Sequence, residues 1–188
     1  NGYPAYDVDA AKEFAAACKE AIGEDLSYVL TVANDSQTTA TGQLIQEMAK
    51  EFGVEVELKP VPQSELIDLA IAGDFEAVSF RLYPGGEPDD NYIFWTNGSP
   101  VNFGRIQDDT LTGLMEQGRV SSDEAERTQI YEDVNRRFAS EAYNIWQWWT
   151  TWDIGTAPNV YGVLGPDLPD GGGKPFQGLA GGHPVTSM

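Results

Sequence analysis

The sequence predicts an α/β fold, a mixed and mostly parallel sheet flanked by helices. Three observations carry this. Residues 28–33, YVLTVA, form an apolar, β-rich run of the kind a buried strand needs. Residues 54–58, VEVEL, alternate strictly between apolar and acidic side chains, the two-residue period of a half-exposed strand. Helical patterns separate these runs from each other and from a third, EAVSFRLY, so the order is strand, helix, strand, helix, strand. That alternation favours parallel strands joined by right-handed crossovers.

Each element has its own local signals. DVDAAKEFAAACKEAIG reads as a helix capped by Asp7 or Asp9, with a stripe of Ala11, Phe14, Ala15, Cys18 and Ile22 and a stop at Gly23. After the first strand, SQTTATGQLIQEMAKEFG reads as a helix. Its stripe is Ala40, Leu44, Ile45, Met48, Ala49 and Phe52, with Gly53 as the stop. In the second strand Val54, Val56 and Leu58 face a core, while Glu55 and Glu57 face water. SELIDLAIAG is a short helix closed by Gly73. The third strand places Val78, Phe80 and Leu82 on one face and Ala77, Ser79, Arg81 and Tyr83 on the other; it is expected to be central. A turn-rich loop, PGGEPDDN, follows. QDDTLTGLMEQG is a helix with Leu111, Leu114 and Met115 inward. The longest helix begins at SSDE, where Ser121 and Glu124 suit a capping box, and buries Ile130, Val134, Phe138 and Ala142 at four-residue spacing. The next stretch, AYNIWQWWTTWD, is expected as a strand. Parity puts Trp146, Trp148 and Trp152 on one face and Ile145 and Trp149 on the other. From residue 155 on, nine Gly and five Pro forbid a long helix and suggest an extended tail. The division expected is a linking helix over residues 1–25, an α/β lobe over 26–154 and a tail over 155–188.

The totals narrow the function. The chain has 188 residues, 41% of them hydrophobic, enough for a real core. Eleven basic residues stand against 30 acids, giving a formal charge of -19. Nucleic-acid binding, which rests on neutralising phosphates, is excluded as a function class, and adsorption to anionic lipid is disfavoured. A single cysteine, Cys18, excludes a disulfide framework and a cysteine-based zinc site. No run of 18 apolar residues is present. The sequence opens at Asn1 in mid-pattern, and it is read as a piece of a longer or processed chain.

The candidates for chemistry are few. His183 is the only histidine, so histidine triads and multi-histidine metal sites are absent. Glu87, Asp89 and Asp90 cluster in one loop. They could serve as the carboxylates of a glycosidase, hold calcium or simply form a solvated turn, and their spacing matches no EF-hand. Lys174 follows a glycine run, but Pro175 stands where a phosphate loop needs Ser or Thr. Arg81 and Tyr83 close the third strand, where open α/β sheets place their ligands. Arg81 either clamps a ligand carboxylate or pairs with a nearby acid. The tryptophan face needs a cover, because a row of exposed rings is a large apolar patch; a cleft wall or a second domain would supply one.

Taken in order, YDVDAAKEFAAAC, LTVANDSQTTATGQLIQEMAKEFGVEVELKPV and AGDFEAVSFRLYPGGEPDDNYIF resemble the carboxyl-terminal half of bacterial extracellular solute-binding proteins of family 5, the peptide/nickel type of ABC importers. NFGRIQDDTLTGLMEQGR, ERTQIYEDVNRRFASEAYNIWQ and NVYGV continue the likeness, which covers residues 3 to 165. The resemblance implies a periplasmic-binding-protein-like lobe of type II and a non-enzymatic role without cofactor. It implies capture of a small solute, oligopeptide-like or similar, and delivery to a permease. The implied partners are the solute, the amino-terminal lobe and the ABC permease. The implied location is periplasmic or extracellular, with a membrane anchor in an amino-terminal segment outside this sequence. The tail would return to the first lobe. The ligand-binding residues expected on this basis are Arg81, Leu82, Tyr83, Gly85, Trp146 and Trp148. Peptide-binding members carry an aspartate early in the loop after the third strand; here Tyr83, Pro84, Gly85 and Gly86 precede the first acid, Glu87. The competing readings are a carbohydrate-binding or glycoside-hydrolysing module built on the tryptophans with Glu87, Asp89 and Asp90, and a scaffold module that docks protein on its apolar face.

Overall fold

A computed structural model of the chain describes residues 3–82, 87–147 and 156–161. Helix α1 spans Val8–Ile22. The Asp7 carboxylate accepts from the Ala10 amide, and Gly23, at φ 83°, ends the helix in the left-handed region that glycine reaches without a Cβ penalty. Its expected stripe is only lightly used. Ala15 touches the core, whereas Phe14 is 77% exposed and Ile22 53%.

Strand β1 (Ser27–Ala33) grows more buried along its length, until Leu30, Thr31, Val32 and Ala33 are all inside. Helix α2 (Ser36–Glu51) follows, capped by Asp35. The face it buries differs from the expected stripe. Thr38, Gly42 and Ala49 are buried, and Leu44 and Met48 turn to solvent. The cause is Gly42: a Cβ there would stand 2.5 Å from Leu58 Cδ1 and 3.4 Å from Val32 Cγ1. The small residues let the helix lie close on the sheet, and close approach rotates the longer side chains outward.

Strand β2 (Glu55–Val61) pairs in parallel with β1, from Ser27 opposite Glu55 to Ala33 opposite Val61. Its exposed Glu55, Glu57, Lys59 and Pro60 suit an edge. Helix α3 (Gln63–Ala72) ends at Gly73, and β3 (Ala77–Val78) pairs with Leu30 and Thr31 on the other side of β1. The sheet order among the described residues is therefore β2-β1-β3. This corrects the expectation that the third strand is long and central. The ladder proper is two residues long, extended by the Ser79 amide donating to Thr31 O at 2.9 Å, and β1, apolar on both faces, takes the centre.

A 3-10 turn at Pro88–Asn91 and a single-turn helix α4 (Tyr92–Trp95) lead to α5 (Asp109–Val120) and α6 (Glu124–Glu141). Leu111 and Met115 are fully buried, as the pattern predicts, together with Ile106, Val134 and Phe138. Asp123, rather than Ser121, caps α6: its carboxylate accepts from the Glu126 amide at 2.8 Å, and Ser121 donates to the Glu126 side chain. Ala142 stops the helix at φ 52° and is exposed, so it does not extend the buried line. Residues 143–147 form no strand, which overturns that expectation for the described part of the tryptophan run. Trp148, Trp149 and Trp152 lie outside the described residues, as do Tyr83, Gly85, Lys174 and His183.

Two apolar clusters sandwich the sheet. One holds Leu30, Val32, Ala49, Val54 and Val56; the other holds Ala33, Val61 and Leu66 with Val78 and Phe80 against them. The third cluster lies between α5 and α6. Among the described residues, a hydrogen bond and a ring contact join this helical part to the sheet part. Arg105 Nη2 donates to Ile71 O at the end of α3, at 2.8 Å, and Phe103 meets Phe80 with ring centroids 5.2 Å apart. No helix among the described residues is long and apolar enough to cross a membrane.

Candidate functional site

Parallel strands aim their carboxyl ends the same way, so Asn34 and Asp35 after β1 and residues 79–82 after β3 share one end of the sheet. Asp35 is at once the cap of α2 and the partner of Arg81. Its carboxylate accepts from the Thr38 amide at 2.9 Å and the Thr38 hydroxyl at 2.7 Å. Arg81 Nη2 donates to both Asp35 oxygens, at 3.1 and 3.2 Å, and to Thr38 Oγ1 at 2.7 Å. The Thr38 hydroxyl and amide, outweighing some desolvation and helped by the Arg81 charge, hold the Asp35 carboxyl below its usual range. Of the two readings of Arg81, pairing with a nearby acid is the one observed. Leu82 is half-buried beside it.

Phe80 belongs to a ring cluster that the sequence reading missed. Phe103 stacks on it at a tilt of 58° and reaches Phe94 at 6.2 Å. All three rings are half-buried, next to the strand end that carries Arg81. Their spacing in sequence is irregular, and no periodicity marks them.

Trp146 sits elsewhere. It stands edge-on to Trp95 at 6.1 Å and tilted against Phe138 at 6.2 Å, and it is 57% exposed. Tyr3 packs beside it. Burial pushes the Tyr3 hydroxyl up in pKa, a hydrogen bond from Trp146 opposes this, and the hydroxyl itself donates to Asn144 O at 3.2 Å. Among the described residues no hydrogen bond or ring contact joins Trp146 to Arg81.

In the acidic loop, Glu87 and Asp89 are each paired with an arginine. Arg127 donates to Glu87, and that bond holds the Glu87 carboxyl below its usual range against some desolvation. A general acid needs the opposite shift. Asp89 pairs with Arg119 at 3.1 Å, and Arg119 in turn covers the Tyr92 ring at 4.2 Å. Among the described residues no group of three or more acidic, histidine or cysteine side chains could hold a metal ion.

Residues 1–104 match the family described as bacterial extracellular solute-binding proteins, family 5 Middle. Solved structures share the fold. The ABC transporter substrate-binding protein CtaP from Listeria monocytogenes is 26% identical with a TM-score of 0.65, over 73% of this chain and 28% of that one. A peptide-binding protein AppA from Clostridium difficile is 17% identical, with a TM-score of 0.66 over 76% and 30% of the two chains. NikZ from Campylobacter jejuni, solved in complex with Ni(L-His), is 17% identical with a TM-score of 0.64, over 73% and 31%. This chain thus spans less than a third of the length of each of these three. Comparison with curated proteins gives no match.

Proposed function

The chain belongs to the bacterial extracellular solute-binding proteins of family 5, and on that premise we propose that it is part of a protein that captures a small solute, peptide or related, for an ABC importer. The carrying observation is the shared end of the parallel sheet, where Arg81 stands half-exposed between the α2 cap and a half-buried phenylalanine cluster. A cleft that opens there needs no catalytic group; it needs a polar anchor, apolar walls and a second surface to close on them. An amino-terminal lobe is the proposed second surface, and a membrane permease the proposed recipient. The proposed location is outside the cytoplasmic membrane, held there by an anchor in an amino-terminal segment.

Arg81, Leu82, Tyr83 and Gly85 are the proposed solute contacts at the sheet end. Trp146 and Trp148 are proposed to line the same cleft from the segment after α6. The test is native mass spectrometry of the full-length protein with any co-purified solute, followed by calorimetry with that solute. Arg81→Ala is expected to weaken binding about tenfold, the size of one lost charge-assisted hydrogen bond. A protein that carries no solute, or one whose affinity is unchanged in both Arg81→Ala and Trp146→Ala, sinks the assignment. The carbohydrate reading has no support in the paired and depressed Glu87, and hydrolysis of a glycan panel would be needed to revive it.

A further inference from the structure

Asn97 precedes Gly98, and an asparagine before glycine carries a chemistry of its own. The Gly98 backbone nitrogen attacks Cγ of Asn97 and forms a ring imide; the Cγ–Nδ2 bond breaks, and ammonia leaves with the Gly98 amide proton. Water then opens the ring at either carbonyl, leaving aspartate or isoaspartate at position 97. No oxidant and no enzyme is needed. Glycine favours the attack because no Cβ shields the nitrogen. Gly98 is exposed, and a Cβ there would meet nothing within 4 Å.

The fold holds this pair shut. Asn97 is bound at three points around the start of α5. Its amide donates to Thr112 Oγ1 at 3.1 Å, its Oδ1 accepts from the Asp108 amide at 2.8 Å, and its Nδ2 donates to Asp109 Oδ1 at 2.8 Å. The reacting carbon is thus pinned at both of its polar atoms. The backbone opposes ring closure as well. The Ser99 amide donates to Thr96 O at 3.3 Å with Gly98 at φ 73°, the glycine position of a type II turn. A five-membered ring needs the Gly98 nitrogen to eclipse Cβ about the Asn97 Cα–C bond, and a type II turn keeps it rotated away.

We infer that Asn97–Gly98 is a self-modifying site gated by the first turn of α5: intact while that turn is docked, converted when it opens, and held open by the charge left behind. The site is independent of the solute contacts proposed above. Its last property follows from the pairing, which fits the amide in one orientation only: NH2 meets a carboxylate, and oxygen meets an N–H. Conversion replaces the NH2 by a carboxylate oxygen facing Asp109, so a charge-assisted bond becomes a like-charge contact. The Asp108 amide keeps its acceptor, but that one bond does not offset the reversal. Isoaspartate adds a methylene to the main chain and takes the side chain off both partners.

The test is peptide-resolved mass spectrometry of the full-length protein in mildly alkaline buffer, with and without urea that unfolds it, scoring conversion at position 97. Conversion is expected to be at least about a hundredfold slower in buffer than in urea, as for a site that reacts through local opening. Equal rates overturn the gate, and no conversion in urea overturns the site. Asp109→Ala is expected to speed conversion in buffer about tenfold, the weight of one hydrogen bond to a charged group, and to leave the urea rate unchanged. An unchanged rate in buffer removes Asp109 from the gate. Asn97→Asp is expected to raise amide hydrogen exchange across residues 110–112 about tenfold, and adding Asp109→Asn, which swaps donor and acceptor, to bring it back. Exchange unmoved by Asn97→Asp overturns the claim that the product stays open. Should a variant not fold, the comparison of buffer with urea in the unaltered protein still decides the gate.

Discussion

Asp108 ties three segments together through one carboxylate. Oδ1 accepts from the Thr110 and Leu111 amides and so caps α5; Oδ2 accepts from Arg137 Nε at 2.7 Å and from the Tyr143 hydroxyl at 2.9 Å. Burial pushes its carboxyl up in pKa, but Arg137, the Leu111 amide and Tyr143 outweigh burial and leave it below the ordinary value. A carboxyl depressed in the folded state stabilises fully above the unfolded pKa, about 3.9, and that contribution is lost as pH falls through the lower folded value. Asp108→Ala should therefore cost about 3 kcal/mol in urea denaturation at pH 7, one cap plus charged hydrogen bonds, and the gap to the unaltered protein should narrow as pH falls below about 4. Asn102 is a neutral counterpart. It is 1% exposed and bonds Thr96 O and Ile106 O through Nδ2 and the Ile106 amide through Oδ1. Asn102→Ala should cost about 2 kcal/mol in the same assay. Half of the Asp108 role is legible in sequence, because an aspartate before a helical pattern is a cap. The other half depends on residues 29 and 35 positions away, which no local spacing reports.

Among the elements, the helices whose apolar side chains do the packing were legible, and those packed through small residues were not. Leu111 and Met115 on α5 face inward as their spacing requires. On α2 the stripe of long side chains misleads, because Gly42 sets the contact with Leu58 and Val32. The crossing of α5 and α6 depends on the same device. A Cβ on Gly118 would lie 2.7 Å from Tyr131 Cζ and 2.8 Å from its hydroxyl, so the helices approach only because the side chain is missing. Gly118→Ala should gain about 1 kcal/mol of helix propensity and lose more to overpacking, a net loss of about 1–2 kcal/mol visible as a lower midpoint in thermal denaturation. A more stable variant would show that Tyr131 can swing aside. The third strand was misjudged for a related reason. Its apolar residues do pack, Val78 and Phe80 among them, yet they do so beyond a two-residue ladder.

At the scale of the whole molecule, 30 acids against 11 basic residues leave a net charge of -19, and the folded chain concentrates that charge. Self-repulsion of this kind is screened over about 10 Å at 0.1 M salt. The melting temperature should rise as sodium chloride goes from 10 to about 150 mM, and level off beyond. A melting temperature that falls over this range would assign more of the stability to ion pairs such as Arg137–Asp108 than to repulsion. The alternation of strands and helices made the parallel sheet readable in advance. The order of its strands was half-written there too: YVLTVA has no polar face to give to an edge, and VEVEL has one. What the sequence left out was the far end of the chain, where Trp146 gathers on Trp95 and Phe138 without forming a strand.

The bridge from Arg105 to the end of α3 bears on how this chain could be engineered. Arg105 adopts φ 52°, and its guanidinium reaches Ile71 O while lying 3.0 Å from where a Gly73 Cβ would be. Together with the Phe80–Phe103 contact, it fastens the helical part to the sheet by a route that does not run through residues 83–86. The residues that join the two parts are thus not the solute contacts proposed above. Even a small library at Gly73 or Arg105 should yield few folded members. An engineered version of this chain should keep that bridge intact and carry its changes elsewhere.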